Sequence, residues 1–298
     1  VAPPAFGGAT PRLPQAVRYD RGLVTEPAED LPAYAVDRTA VQALAGARPW
    51  PARVTRDWAL GGSTGRGARV CIVDSGIEAD HPAVGGVDTA VSVSIEDDEV
   101  VIEPDALGDV CGHGTACAGI IREIAPECEL ASVRVLGEGF VGSGPVLVEG
   151  LRWAIEEGYD VINMSLSTTK RKFCEALHDL ADAAYFQRSI VVASAHNMPV
   201  ASYPWRFSSV ISVASHELDD PLAYYRNPDP PVEFFARGVD VSVAWTGGVR
   251  MRSTGNSFAT PHITGICALI RAKHPHLTPA EVKTLLGLTA ANAEPADG

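Results

Sequence analysis

Apolar positions along this chain follow two periods. Short, β-branched runs end at Gly, Asp, Ser or Asn, and longer segments between them carry apolar residues at helical spacing. The first kind reads as strands buried on both faces, because a parallel sheet covered by helices has no polar face. Strands are predicted at 69–73, 129–136, 160–166, 190–195 and 210–214. Helices are predicted at 55–60, 145–157 and 172–187, along the run 263–270, and at 279–287. Val146, Val148 and the segment 151–155 supply the apolar face of the second, and Phe173, Leu177, Leu180 and Ala184 that of the third. Residues 87–102 alternate acidic and β-branched positions and read as a hairpin. A second hairpin, 239–245 with 249–253, surrounds Thr246-Gly247-Gly248. Strands alternating with helices predict an α/β fold with a mostly parallel central sheet flanked by helices on both faces.

The amino end differs. Residues 1–50 are Pro-rich, with a short helix predicted near 37–44 that Pro49 and Pro51 close around Trp50. This stretch is too short for a core of its own and reads as an N-terminal extension, a strap or a prosegment remnant. Residues 51–298 read as one domain.

Composition narrows the function classes. The chain has 298 residues, 46% hydrophobic and 20% charged, as expected of a soluble globular protein. No apolar run approaches membrane-spanning length, so no membrane partner is expected. A net charge of −13 argues against nucleic acid. Six cysteines without tight framework spacing suggest reduced thiols. A zinc site from Cys71, Cys111 and Cys117 would lack any CxxC pair. The cysteines and the absence of a signal-peptide pattern at 1–14 favour a cytoplasmic setting; a removed leader would imply secretion instead. A monomer without cofactor or metal is expected.

Four polar residues stand where predicted strands end or helices begin: Asp74, His113, Asn197 and Ser257. Each alone has an ordinary reading, as a turn aspartate, a structural histidine, a loop amide or an N-cap serine. Together they have the makings of acyl transfer. A serine nucleophile needs an imidazole to take its proton, and the imidazole needs a carboxylate to hold its tautomer. The resulting oxyanion needs a hydrogen-bond donor.

The motifs carrying these residues resemble those of the subtilisin-like serine peptidases, the subtilases, over about 58–286. Val73-Asp74-Ser75-Gly76-Ile77 looks like the family's aspartate motif and Gly112-His113-Gly114-Thr115 like its histidine motif. Asn163-Met164-Ser165-Leu166 is similar to its substrate strand, and the segment from Gly255 to His262, around Ser257, to its serine motif. The resemblance implies the subtilisin-like three-layer fold and a serine endopeptidase acting on peptides or proteins. It implies Ser257 as nucleophile, His113 as general base then acid, and Asp74 as orienting carboxylate. Asn197 and the Ser257 backbone N–H would be oxyanion donors. An extended substrate would lie between Ser165-Leu166-Ser167 and Gly142-Ser143-Gly144, adding as a strand.

Departures from the family pattern shape the expectations. Asn256 replaces a threonine before the serine. His196 replaces a glycine before Asn197, which raises the question of a positive φ there. Ser167-Thr168 replaces a Gly-Gly pair and should narrow the primary specificity pocket, and the segment after Asn197 is short. The loop that carries calcium in many relatives has no counterpart after Ile124, and Asp97 with Asp98 is a weak candidate elsewhere. Cys117, four residues beyond His113, stands where proteinase K-like relatives carry a cysteine; core packing is its ordinary reading, and inhibition by bulky thiol reagents or mercury the sharper one. These changes suggest limited, processing proteolysis. The competing expectations are a silent scaffold that binds a peptide or protein partner, and a zymogen covered by residues 1–50.

Overall fold

The computed structural model describes residues 50–97 and 99–293. The helix predicted near 37–44 and the extension 1–49 lie outside the described residues. Contacts along the chain set Arg53–Gly298 apart as one unit, and that unit carries the elements described here.

Helix α1, Arg56–Leu60, is capped by the Thr55 side chain, which accepts from the Trp58 N–H. Strand β1, Arg69–Asp74, is followed by the hairpin β2, Thr89–Glu96, and β3, Glu99–Pro104, which turns at Asp97 with φ 50°. Then come α2, His113–Ile124; β4, Glu129–Arg134; α3, Gly144–Glu156; β5, Val161–Met164; and α4, Cys174–Phe186. Strands β6, Ile190–Ser194, β7, Ile211–His216, β8, Tyr224–Arg226, and β9, Phe234–Arg237, follow. The hairpin β10, Val241–Trp245, with β11, Val249–Ser253, precedes α5, Asn256–Lys273, and α6, Pro279–Thr289.

Among the described residues nine strands form one sheet in the order β3-β2-β4-β1-β5-β6-β7-β9-β8. Pairing is parallel throughout the interior and antiparallel only at the two edges, β2/β3 and β8/β9. The α/β architecture read from the pattern is therefore the one observed. Two strands had no counterpart in the sequence reading. β8 and β9 are too short to display a period, and Pro228, Pro230 and Pro231 fill the connection between them. The glycine-rich stretch 137–144 is more ordered than a loop. It holds a 3-10 turn, Glu138–Phe140, and the N-cap Ser143 of α3.

Strand alternation divides the core in two. Cys71, Val73, Ile162, Met164, Val191 and Ala193 point to the face covered by α3 and α4, together with Leu151, Ile155, Leu177 and Leu180. Val70, Ile72 and Asp74 have the opposite parity and point to the face where α2 and α5 pack. Asp74 is thus delivered to a helix-covered face by the register that buries its neighbours.

The two helices on that face approach closely because α5 carries Gly265 where it meets α2. A Cβ there would lie 2.8 Å from the Ile124 Cβ and 2.9 Å from its Cγ2. Gly265→Ala should force these helices apart and cost about 1–3 kcal/mol of unfolding free energy, despite alanine's better helix propensity. Urea denaturation checks this: an unchanged or raised midpoint would show that Ile124 yields freely.

Candidate active site

Asp74 ends β1 and is fully buried. His113 opens α2 and is 9% exposed. The imidazole Nδ1 lies 2.8 Å and 2.9 Å from the two Asp74 carboxylate oxygens. The Ser75 N–H donates to the same carboxylate at 2.8 Å. A proton held on Nδ1 by this pair leaves Nε2 as the acceptor nitrogen. Burial alone lowers the affinity of His113 for a second proton. The Asp74 charge and hydrogen bond, helped by the Asp109 charge, outweigh it, and its pKa rises above the usual histidine value of 6.5.

The start of α2 is held by a residue to which the sequence reading assigned no role. Gly112, the N-cap, has φ 91° and no side chain to cap with. Asp109 supplies the missing acceptors. One of its carboxylate oxygens accepts from the Cys111 and Gly112 N–H groups and the Ser75 hydroxyl, at 2.9, 2.7 and 2.8 Å. The other accepts from the Thr115 N–H and hydroxyl, at 2.8 and 2.6 Å. Ser75 Oγ in turn accepts from the Gly114 N–H. A single carboxylate thus ties the aspartate strand to the histidine turn at a helix N-terminus, where negative charge is favoured. An acid four residues before the histidine, beside a glycine N-cap that needs an outside acceptor, was the signal available in the sequence.

Ser257 lies in the first turn of α5, and α5 contacts α2 along its length. Pro261 stands four residues on and has no N–H, so the Ser257 carbonyl loses its helical partner. Ser165 Oγ takes that place, donating to the carbonyl at 2.8 Å, with the Cys117 thiol at 3.8 Å. Asn163 Nδ2 donates to Ser165 Oγ, and the Thr264 hydroxyl donates to Asn163 Oδ1. Ser257 Oγ itself makes no hydrogen bond to the described residues.

Asn197 and Ser257 face one space. A Cβ on Gly255 would lie 3.3 Å from Ser257 Oγ and 3.5 Å from Asn197 Nδ2, so the glycine leaves that space open. Asn197 Oδ1 accepts from the Asn256 N–H at 2.9 Å, which fixes the amide with its donor end towards the space. Asn256 is more than a tolerated replacement. Its Oδ1 accepts from the Ser215 N–H, and its Nδ2 donates to the Ala195 and His196 carbonyls. His196 is not among the residues with positive φ, so the replacement of glycine introduces no left-handed strain. Its Nδ1 accepts from the Met198 N–H at 2.9 Å.

A sequence profile of the subtilase family matches residues 65–297. The chain belongs to the subtilase family. It is 32% identical to subtilisin DY of Bacillus licheniformis over 246 residues, covering 78% of this chain and 86% of that one. A thermostable alkaline protease of Halalkalibacterium halodurans is 31% identical over 240 residues, 77% of this chain. This chain spans 63% of that relative, just under two thirds. Among solved structures, a cold-adapted subtilisin-like serine proteinase superposes with a TM-score of 0.64 at 26% identity, covering 78% of this chain and 87% of its own. The family is one of serine endopeptidases, hydrolases that act on peptide and protein substrates.

The substrate-binding residues expected for this subtilase divide in two. Gly142, Ser143, Gly144, Leu166 and Ser167 line one cleft of about 150 Å³. Ser165 does not; it is buried and its hydroxyl faces Ser257. The cleft also takes in Phe140, which the sequence reading missed. Phe140 has φ 63°, is 52% exposed, and sets its ring edge-on to His113 at 5.9 Å between centroids. A phenylalanine held in the left-handed region beside the histidine is a positional feature that composition does not reveal. Asp98, of the weak calcium expectation, lies outside the described residues.

Cys117 Sγ lies with the Asp74 and His113 side-chain ligand atoms, all within 4.8 Å of one another. It is fully buried, and burial, with the Asp74 charge, pushes its thiol well above its usual pKa. An enclosed, protonated thiol packs as a small apolar group, so the expected sensitivity to bulky thiol reagents does not follow from this geometry. Iodoacetamide at pH 8 should leave Cys117 unmodified in the native protein and label it after denaturation, as read by peptide mass mapping. Native labelling at a rate typical of an exposed cysteine would contradict the burial.

Proposed function

We propose that this chain is a serine endopeptidase in which Asp74, His113 and Ser257 act as a triad and Asn197 as side-chain oxyanion donor. The observation that carries the reading is the bond from His113 Nδ1 to both oxygens of buried Asp74, beside a helix that carries Ser257 in its first turn. His113 Nε2 takes the Ser257 hydroxyl proton as Oγ attacks the peptide carbonyl carbon. The tetrahedral oxyanion forms in the space above Gly255, where Asn197 Nδ2 and the Ser257 N–H donate to it. The C–N bond breaks as His113 returns its proton to the leaving amine. Water, deprotonated by His113, then attacks the acyl-enzyme and releases the carboxylate product. The narrow cleft and the altered pocket residues support limited, processing proteolysis.

A silent, peptide-binding scaffold is the second reading, favoured by one observation: Ser257 Oγ is not hydrogen-bonded to His113. Such contacts often tighten only when substrate binds. Intact-mass analysis after a fluorophosphonate probe decides. One adduct is expected, on Ser257, and none on Ser257→Ala. The labelling rate should fall with acid as Nε2 becomes protonated, with its midpoint above pH 6.5 because the His113 pKa is raised. A folded native chain that takes no adduct would support the scaffold, and a pH-independent rate would remove His113 as the base.

Asn197→Ala should lower kcat by about 10²–10³-fold, the loss measured for a side-chain oxyanion donor in subtilisin. KM should change little, because the donor acts on charge that develops in the transition state. Equal losses in kcat for Asn197→Ala and for an exposed-surface control variant would sink the assignment.

A further inference from the structure

Strands β5 and β6 pair in parallel up to Met164 and Ala193. Beyond them the two chains separate, one continuing as Ser165-Leu166-Ser167-Thr168 and the other as Ala195-His196-Asn197. The gap between these arms opens beside the space that Ser257 Oγ and Asn197 Nδ2 share. Under the reading above, a peptide chain lies along the first arm with its scissile carbonyl in that space. The side chain of the residue supplying the carbonyl, P1, then has to enter the gap.

The gap has a floor. Ser167 Oγ, on the first arm, donates to Ser202 Oγ at 3.0 Å. The indole N–H of Trp205 donates to the same Ser202 oxygen at 2.8 Å. Ser202 is fully buried and Trp205 8% exposed, packed into the core under α4. The backbone bonds Thr168 N–H to Tyr203 carbonyl and Tyr203 N–H to Thr168 carbonyl, both 2.9 Å, lock the first arm to the floor segment. Ser202 Oγ thus accepts from both of the other side-chain groups. A large P1 side chain would have to part them and leave a hydroxyl and an indole N–H unpaired in a buried place.

We infer that Ser167, Ser202 and Trp205 floor the primary specificity pocket of this subtilase and restrict it to substrates with Gly, Ala or Ser at P1. The inference rests on the assignment of Ser257 and Asn197, and deepens it to a substrate class. The aromatic, long aliphatic and basic P1 residues are excluded by the bonded hydroxyls, and small residues fill the depth that remains.

A set of fluorogenic tetrapeptides differing only at P1 (Gly, Ala, Ser, Leu, Phe, Lys) tests this, with each preparation normalised by fluorophosphonate labelling of Ser257. P1 Ala should exceed P1 Phe and P1 Leu in kcat/KM by about tenfold or more. Ser202→Gly and Ser167→Gly should each raise kcat/KM for P1 Phe relative to P1 Ala by about tenfold. Two variants guard against a folding defect in one. P1 Phe cleaved as well as P1 Ala by the native chain would overturn the inference, as would an unchanged P1 profile in both labelled variants. On Ser257→Ala, equilibrium binding of the same peptides should show the same order. That measurement tests the floor even if the serine proves inert, so a failed triad and a failed floor give different results: no adduct with P1 discrimination retained, or an adduct with discrimination lost.

Discussion

Two helices have to begin within reach of one another, and much of this structure serves that requirement. α2 starts at His113 and α5 at Asn256, just before Ser257, in segments separated by almost half of the chain's length. They are brought together on one face of the sheet by close contact at Gly265 and Ile124. That contact only sets the distance between helix axes. The rotation and height of each helix are set by side chains that come from elsewhere: Asp109 at the start of α2, and Asn197 with Asn256 at the start of α5. Neither helix has a side-chain cap of its own, because both N-cap positions are glycine. The unfilled N–H groups at both ends are used to position the site.

Behind the serine, polar groups are buried without being wasted. Asn163, Ser165 and Thr264 would each be costly in a core if unpaired. Here they form a chain of hydrogen bonds ending on the Ser257 carbonyl. Asn163 has the parity opposite to Ile162 and Met164, so the strand that contributes apolar side chains to the α3–α4 core sends its one amide to the other face. His262 illustrates the cost of charge in the same place. Burial pushes its pKa down to about 4, and its neutral Nδ1–H donates to the Phe258 carbonyl.

The amino-acid pattern carried the sheet's interior well, because strands buried on both faces announce themselves as unbroken apolar runs such as 69–73 and 190–195. It lost the β8–β9 edge, where pairing is made by backbone over too few residues for a period to emerge. Motifs carried the positions of Asp74, His113, Asn197 and Ser257 to strand and helix ends, and the structure assembles them in one place. It could not indicate that Ser165 turns inward while Leu166 and Ser167 face the cleft, since alternation breaks down once a strand leaves its sheet. Nor could it link Ser167 to Ser202 or Asp109 to five donors, because such contacts depend on loops whose path is set by tertiary packing. The doubt attached to His196 came from assuming the relatives' backbone at that position; this chain follows a path there that any residue can adopt.

Pro261 has a consequence for how the molecule comes into being. In an ordinary helix the carbonyls of the first turn accept from N–H groups of the second. Here the proline breaks that link at the serine, and the bond is replaced by one from β5. The serine's turn is therefore suspended from the sheet rather than from its own helix. That bond exists only with α5 docked against the segment that follows β5, which itself pairs with β1 and β6. Under the role proposed for Ser257, a chain in which α5 has not yet docked on β5 lacks the bond that holds the nucleophile's turn.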